Sequence, residues 1–204
     1  MTAEAVGDTL VGHAGPWTEQ DYLALPESRS RIELLDGALL VSPAPAGPHQ
    51  RMARRVSFAL EAAAPAGLEV LDAINVRVAA ERILIPDIVV LREAGLDKTV
   101  CDATDVLMVV EVASPSRPGI DRVIKPAAYS KAGIPHYLLV ESNDGAVSAT
   151  AYALTPAGVY VETARSGVQG MLNLLQPFRF SIDLAGGRPR ATREPFGRPP
   201  LLAR

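Results

Sequence analysis

Two acidic residues lie inside segments that otherwise have the composition of buried β-strands. Asp87 follows Pro86 within the apolar run 83–91, and Glu111 interrupts the apolar run 106–113. An ionised carboxylate that is taken out of water is strongly destabilising unless a counter-charge or a bound cation compensates it. A structural ion pair or a strand end explains each acid taken alone. Two such acids, on strands that we expect to be adjacent, also suit a functional site.

Pro86 places Asp87 at a special point of its strand. Proline cannot donate a hydrogen bond to a β-ladder, so it marks a strand edge or a bulge, and bulges often re-aim side chains next to active sites. Two converging carboxylates form an all-oxygen site, which suits Mg²⁺ or Mn²⁺ better than zinc. Such an ion can activate water and stabilise the charge that develops during phosphodiester hydrolysis. A nearby lysine would complete the site.

Length and composition are those of one globular domain. The chain has 204 residues, of which 48% are hydrophobic and 21% are charged, so it can bury a core without disulfides or a structural metal. Cys101 is the only cysteine, which excludes an intramolecular disulfide and a cysteine-based zinc site. The sequence has neither a signal-peptide pattern nor an apolar run long enough to cross a bilayer. We therefore expect a soluble, cytoplasmic protein.

The distribution of charge separates the two ends of the chain from its body. The formal net charge is −3, whereas non-specific nucleic-acid binders usually have a strong basic excess. Five arginines accompany the single acid Glu194 in residues 186–204. A solvated, disordered terminus explains this segment better than contact with phosphates does. We expect a flexible tail at residues 1–15, one domain at 16–185 and a basic, Pro/Arg-rich tail at 186–204.

Residue patterns predict a mixed α/β fold, with a central mixed β-sheet flanked by helices. Asp36-Gly37 is a strong two-residue turn signal between strands at 31–35 and 38–42. From His49 to Ala64, apolar residues recur every three or four positions and form one face of a helix. The other predicted elements are a short helix from Thr18 to Pro26, a helix between Asp121 and Ala132, and strands at 68–71, 74–78, 83–91, 106–113, 135–140, 147–154, 159–162 and 178–184.

Pro86-Asp87, Glu111-Val112-Ala113 and the later Lys125 resemble the PD-(D/E)XK signature of restriction-endonuclease-like proteins. The local match is closer to one family, the Uma-type endonucleases, a domain family of unknown function. The bare acid pattern is weak, whereas the ordered series of segments is strong and spans roughly residues 17–184. The matching segments are Ile32–Gly37, Ser42-Pro43, His49, Pro86–Leu91, Glu111–Ser116, Asp121, Lys125, Tyr129, Gly133-Ile134 and Tyr137–Val140.

The resemblance implies a restriction-endonuclease-like core, a divalent metal ion (Mg²⁺ or Mn²⁺) and DNA as the substrate. Asp87 and Glu111 would be metal ligands, with the main-chain carbonyl of Val112 as a third. Glu33 would be the accessory acid, and Lys125 the catalytic lysine. A homodimer would place two sites on the two strands of a duplex, although no residue demonstrates one.

One position departs from the superfamily pattern. The superfamily lysine stands two residues after the strand acid, where this chain has Ala113. A side chain there shares a strand face with Glu111, but alanine supplies no charge. Lys125 on the following helix is therefore the candidate, and Lys131 is a weaker substitute. Pro126 disfavours helical geometry at Lys125, so either the helix starts near Pro126 or Lys125 is displaced.

Simpler explanations exist for several of these residues. Alternation makes Glu33 a surface residue of its hairpin, His49 suits a capping or surface position at a helix start, and Tyr129 suits the core. If Asp87 binds a metal ion, it is expected to lack a protein counter-charge. Asp87→Ala would then leave the metal-free protein folded, or even stabilise it.

Three functions are compatible with the sequence. The first is a metal-dependent DNA endonuclease, supported by the acid pair, Lys125 and the family resemblance. The second is a catalytically weak or inactive relative that binds nucleic acid or a protein partner, supported by Ala113, Pro126 and the acidic body of the chain. The third is a metal-dependent hydrolase of small phosphate esters, which would use the same ligands.

Overall fold

The computed structural model describes residues 12–28, 30–95, 97–113, 119–143, 146–167 and 169–185. The described strands form two main β-sheets and one hairpin. The first sheet has the order β2-β1-β5-β4-β7, and the second has the order β11-β10-β9-β8-β6-β3. The strands are β1 (Arg31–Leu35), β2 (Ala38–Ser42), β3 (Glu69–Asp72), β4 (Asn75–Ala79), β5 (Arg82–Leu84), β6 (Ile88–Leu91), β7 (Val100–Asp102), β8 (Val106–Val112), β9 (His136–Asn143), β10 (Ala146–Leu154), β11 (Tyr160–Arg165), β12 (Met171–Leu174) and β13 (Phe180–Asp183). The helices are α1 (Glu19–Leu23), α2 (Gly47–Ala63) and α3 (Lys125–Lys131). This is the predicted mixed α/β class.

The predicted β-hairpin is confirmed, and its turn depends on left-handed backbone. β1 and β2 pair antiparallel from Arg31↔Ser42 to Leu35↔Ala38. Asp36 and Gly37 have φ values of 50° and 79°, as a two-residue turn of type I′ requires at both central positions. The hairpin joins the first sheet through β1, which also pairs with β5.

The predicted single strand at 83–91 is wrong, because the chain changes sheets inside it. β5 pairs with β1 and β4 in the first sheet, whereas β6 pairs with β3 and β8 in the second. Pro86 lies in the crossing segment, where a residue without an N–H donor cannot continue a ladder. Asp87 is the last residue before β6, so the crossing leaves its side chain at the junction of the two sheets.

The central strands β6 and β8 of the second sheet are buried on both faces. Ile88 and Val110 contribute to the core beneath α2 and the β12–β13 hairpin, whereas Val89 and Val109 contribute to the core beneath the first sheet and α3. The two strands pair antiparallel, with Ile88↔Val110 and Val89↔Val109 in register. Extending this register by one residue places Asp87 opposite Glu111. By alternation both acids face the first sheet and α3.

Helix α2 covers the outer face of the second sheet with the apolar stripe that the sequence predicted. Val56 and Leu60 are fully buried, and Met52, Ala59 and Ala63 pack against the same core. The helix begins two residues before His49, with Pro48 in its first turn, where proline is favourable. The opposite face of α2 is consequently available to solvent.

The helix predicted between Asp121 and Ala132 consists of two parts. A π-helical turn, Ile120–Ile124, leads into α3, which begins at Lys125 with Pro126 in its first turn. Pro126 therefore does not displace Lys125 from the helix, because the wider turn before it absorbs the conflict. Gly133 ends the helix with a φ of 78°, as a left-handed residue after the last turn does.

Most other predicted elements are present, with ends shifted by one to four residues. Thr18 caps α1 through a capping box with Asp21. The short strands β7 and β12 were not predicted. The tail predicted at 186–204 lies outside the described residues, as does most of the tail at 1–15, and the domain boundaries stay a prediction. None of the described helices is long and apolar enough to span a membrane.

Gly37→Ala should destabilise the hairpin that carries Glu33. An added Cβ would strain the positive φ, and it would lie 2.9 Å from the Pro16 Cβ. We expect the free energy of unfolding to fall by about 1–3 kcal/mol, measured by urea titration. Gly119→Ala is the control, because Gly119 has helical backbone and open space at its Cβ. An equal loss in both variants would contradict this account of the turn.

Candidate active site

Three carboxylates and one lysine meet where the two sheets join. Glu33 comes from β1, Asp87 from the crossing before β6, Glu111 from β8 and Lys125 from the start of α3. Their side chains are almost completely buried, with exposed fractions of 2%, 4%, 2% and 3%. We call these four residues the acid–lysine cluster. They are the four side chains that the sequence singled out, and the fold brings them together from separate elements.

Lys125 links two of the carboxylates. Its Nζ donates to Glu111 Oε1 at 3.1 Å and lies 3.0 Å from Glu33 Oε1. The same nitrogen lies 3.5 Å from the carbonyl oxygen of Ile85. The ammonium group is thus beside Glu111, the acid with which a lysine at position 113 would share a strand face. Ala113 continues that strand face and donates its N–H to Val140 O at 2.8 Å.

Asp87 is held by a different set of partners. Arg31 Nη1 donates to its Oδ1 at 2.8 Å, and the main-chain N–H of Val112 donates to its Oδ2 at 2.8 Å. His49 Nε2 lies 3.2 Å from Oδ2. The expectation that Asp87 lacks a protein counter-charge is therefore wrong. Removing this carboxylate leaves the half-buried Arg31 without its partner, so Asp87→Ala is expected to be destabilising.

The two strand acids have opposite shifts in pKa. Burial raises the pKa of Asp87, but the hydrogen bond from His49 and the charge of Arg31 outweigh burial and bring it to about 2. Burial also raises the pKa of Glu111, and Lys125 offsets this only in part, so that it reaches about 8. The charges of Glu111 and Glu33 raise the pKa of Lys125 against the effect of burial. At neutral pH, Asp87 is thus ionised and Lys125 is charged. The positive charge around Glu111 is too small to keep its carboxyl group ionised.

Three residues of the site were assigned no catalytic role by the sequence. Arg31 was not singled out, because an arginine at a hairpin start has no distinguishing pattern. His49 was assigned a surface or capping role, yet it contacts Asp87, and its buried Nδ1 has no hydrogen-bond partner among the described residues. Tyr129 is a core aromatic as predicted, and its hydroxyl also donates to Glu111 Oε1 at 2.6 Å. The only early signal for His49 and Tyr129 was their place in the family resemblance.

Glu33 lies in the core, and the alternative lysine, Lys131, lies outside the acid–lysine cluster. Glu33 is buried rather than on the surface, and its Oε1 accepts the N–H of Ile85 at 2.7 Å. Lys131 is exposed at the end of α3, away from the cluster. Arg122 donates to Glu141 at 2.7 Å. The side chain of Asp121 lies outside what the structure describes.

A large cleft opens onto the cluster. Its volume is about 860 Å³, and Glu33, Asp87, Glu111, Val112 and Lys125 lie at its wall. A cavity of this size can accept part of a polymer as well as a small molecule. Within the described residues, no group of three or more His, Cys, Asp or Glu side chains is arranged to hold a metal ion.

Stability of the metal-free protein should depend on pH through Glu111. Its pKa is raised in the fold, so the folded state binds a proton that the unfolded state has lost, and stability falls as pH rises from about 5 to 8. The slope contributed is at most about 1.4 kcal/mol per pH unit. Glu111→Gln should flatten the profile and exceed the wild type in stability at pH 8, measured by urea unfolding in EDTA. His49 titrates in both proteins and cancels in the difference. An unchanged slope would contradict the shift.

Comparison with known proteins identifies the family to which the chain belongs. Residues 19–185 match the profile of the Uma2 family, which is described as "Putative restriction endonuclease". No curated protein matches the chain. The crystal structure of a "putative nuclease belonging to DUF820" from Anabaena variabilis ATCC 29413 aligns with a TM-score of 0.58 at 16% identity, over 72% of this chain and 84% of that one. Such identity shows the fold alone, whereas the profile covers most of the sequence. The chain belongs to the Uma2 family of restriction-endonuclease-like proteins.

Proposed function

We propose that this protein is a divalent-metal-dependent DNA endonuclease that hydrolyses phosphodiester bonds, with Mg²⁺ or Mn²⁺ as cofactor. The observation that carries the proposal is that Asp87 and Glu111 both line one large cleft, with Asp87 directly before and Glu111 directly after the register pair Ile88↔Val110. Lys125, beside Glu111, supplies the positive charge that phosphoryl chemistry needs. Membership of the family supports a nuclease, and the substrate and the metal are our inference.

The donor set suits a hard cation in its chemistry. Asp87 and Glu111 would offer carboxylate oxygens, and Val112, which lies at the same wall of the cleft, would offer its main-chain carbonyl. Glu111 has a raised pKa because burial is incompletely compensated, and a divalent cation would supply the missing positive charge. When bound, the ion would polarise the scissile phosphate and lower the pKa of a water molecule.

Each protein residue has a distinct role in this scheme. Asp87 has a pKa of about 2, so it is a permanent anion that can bind a cation without first losing a proton. Lys125 has a raised pKa, so it stays charged and is not a base. It would donate to the phosphate or the water in place of its long contact with Ile85 O at 3.5 Å. Glu33 and Tyr129 hold Lys125 and Glu111 in place. Arg31 and His49 position Asp87.

A second candidate is a nucleic-acid-binding protein with the same fold and no cleavage activity. The contacts of Asp87 favour it, because Arg31, His49 and the Val112 N–H already occupy its two oxygens. A cation would have to displace His49 or share an oxygen with it. Metal binding without cleavage would support this alternative. Binding of DNA by a protein that neither binds metal nor cleaves would support it as well. The predicted homodimer stays a prediction in either case.

Plasmid nicking tests the proposed function directly. The wild type should nick supercoiled plasmid in Mg²⁺ or Mn²⁺ and be inactive in EDTA. Glu111→Gln and Asp87→Asn should each remove activity, because each replaces a carboxyl group that could bind the cation by an amide of similar shape. Thermal melting identifies which variants are folded, and Glu111→Gln is expected to be at least as stable as the wild type. Full activity in both folded variants would exclude these carboxylates as the catalytic site.

A matched pair of lysine variants tests the catalytic role of Lys125. Lys125→Met should reduce nicking by about 10²–10³-fold, because it removes the only ammonium group of the acid–lysine cluster. Lys131→Met removes the same charge from an exposed position six residues later in the chain and should keep wild-type activity. The assay is run below the melting temperature of each variant, since Lys125→Met leaves two buried acids without their counter-charge. Equal activities would show that Lys125 is structural.

A further inference from the structure

One face of α2 lines the cleft with positive charge and an aromatic ring. Arg51, Arg54, Arg55 and Phe58 follow the spacing i, i+3, i+4, i+7, which places them on one side of a helix, and all four lie at the wall of the cleft. The opposite side of α2 is packed into the core. The solvent side of the helix is therefore an extension of the candidate active site, and none of the proposed catalytic steps uses it.

The arginines of this face differ in how they are held. Arg55 donates to the main-chain carbonyls of Asp183 and Leu184, so it anchors the β12–β13 hairpin. Neither Arg51 nor Arg54 forms an ion pair with any described residue. Two such cations face an open cleft in a chain whose formal net charge is −3. This local excess of positive charge is complementary to a polyanion.

Phe58 has the geometry of a stacking platform. Its side chain is 56% exposed, although α2 has a buried face for apolar residues. The guanidinium carbon of Arg54 lies over the Phe58 ring, 5.1 Å from its centre. This is a cation–π contact, in which the arginine covers one face of the ring. A second cavity of about 280 Å³ is lined by Arg54, Phe58 and also Asp87. Both residues thus lie where two cavities that reach Asp87 meet.

We propose that Arg51, Arg54 and Phe58 form a subsite for an unpaired nucleotide, so that this face of α2 binds single-stranded DNA next to the acid–lysine cluster. The arginines would contact backbone phosphates, and Phe58 would stack on a base. Every base has a π-face, so such binding tolerates any sequence. Bases of a duplex are already stacked and can reach Phe58 only after unpairing. The proposal deepens the proposed function by naming the form of substrate.

The distance along the helix suits one continuous strand. His49 contacts Asp87, and Phe58 lies nine residues further along α2, which corresponds to about 13 Å of helix axis. A few nucleotides span such a distance, so a strand with its phosphate at the cluster would pass Arg51 before it reaches Phe58. A lone exposed phenylalanine would carry no such meaning. Here the ring, the two arginines and the cluster line one cleft.

Binding is measured in EDTA, so that the result does not depend on cleavage. A short fluorescent oligodeoxythymidylate is titrated with the full-length protein, and fluorescence anisotropy gives the affinity. Phe58→Ala should weaken binding by about tenfold, whereas Phe58→Trp should restore it. Arg54→Gln should also make the salt dependence shallower by about 0.7 in its log–log slope, since one phosphate contact on a single strand is lost.

Matched variants and an altered ligand separate stacking from general effects. Leu175→Ala truncates an apolar side chain that is 74% exposed elsewhere, and Arg179→Ala removes an exposed arginine that is not at the cleft; both should bind as the wild type does. An abasic oligonucleotide of equal length keeps its charge but cannot stack. The wild type should bind it as weakly as Phe58→Ala binds the intact strand, and Phe58→Ala should lose nothing further.

The outcomes distinguish this proposal from the proposed function. Unchanged binding of Phe58→Ala, or an equal loss on duplex and single strand, would overturn the subsite even if the protein nicks plasmid. Phe58-dependent binding of the single strand by a protein that never nicks would keep the subsite and overturn the nuclease. A folded wild type that binds no oligonucleotide would overturn the subsite as well.

Discussion

The ammonium group of Lys125 lies between Glu33 of β1 and Glu111 of β8, 3.0 and 3.1 Å from their oxygens. β1 belongs to the first sheet and β8 to the second, so this buried charge joins the two sheets to the first turn of α3. Two carboxylates in a core require such a partner, because an uncompensated buried charge costs about 3–5 kcal/mol. This interaction therefore holds the two sheets together at the cleft, beside the apolar core that they share.

Asp87 shows the complementary arrangement. Its partners come from the β1 end and from α2, through Arg31 and His49, so the carboxylate is neutralised before any cation arrives. A cation bound at Asp87, as proposed, would have to compete with Arg31 and His49 for the same oxygens. The pKa of Glu111 is shifted in the opposite direction. Burial raises it to about 8, and the charge of Lys125 offsets this only in part. If the two acids bind a cation as proposed, the cation would meet a fixed anion at Asp87 and would have to displace a proton from Glu111 at neutral pH.

The sequence predicted the features that local patterns control. The Asp36-Gly37 turn, the apolar stripe of α2 and the capping box at Thr18 each lie within a few residues, and each is confirmed. It did not predict that the chain changes sheets at Pro86, because Ile83–Leu84 and Ile88–Leu91 are equally apolar and a composition of buried strand does not reveal which sheet buries it. The partners of Asp87 were also missed, since Arg31 and His49 are 56 and 38 residues away in sequence.

The displaced lysine explains why position and charge must be considered separately. A lysine at 113 would reach Glu111 along one strand face, and Ala113 leaves that route empty. Lys125 reaches the same carboxylate from a helix start, where the π-helical turn at Ile120–Ile124 and Pro126 fix the direction of α3. A buried glutamate needs a counter-charge, but the charge can come from any element that reaches it. The site therefore requires the positive charge itself and not a lysine at one position of the strand. A pattern that specifies only spacing along one strand would therefore reject a site whose charges are in place.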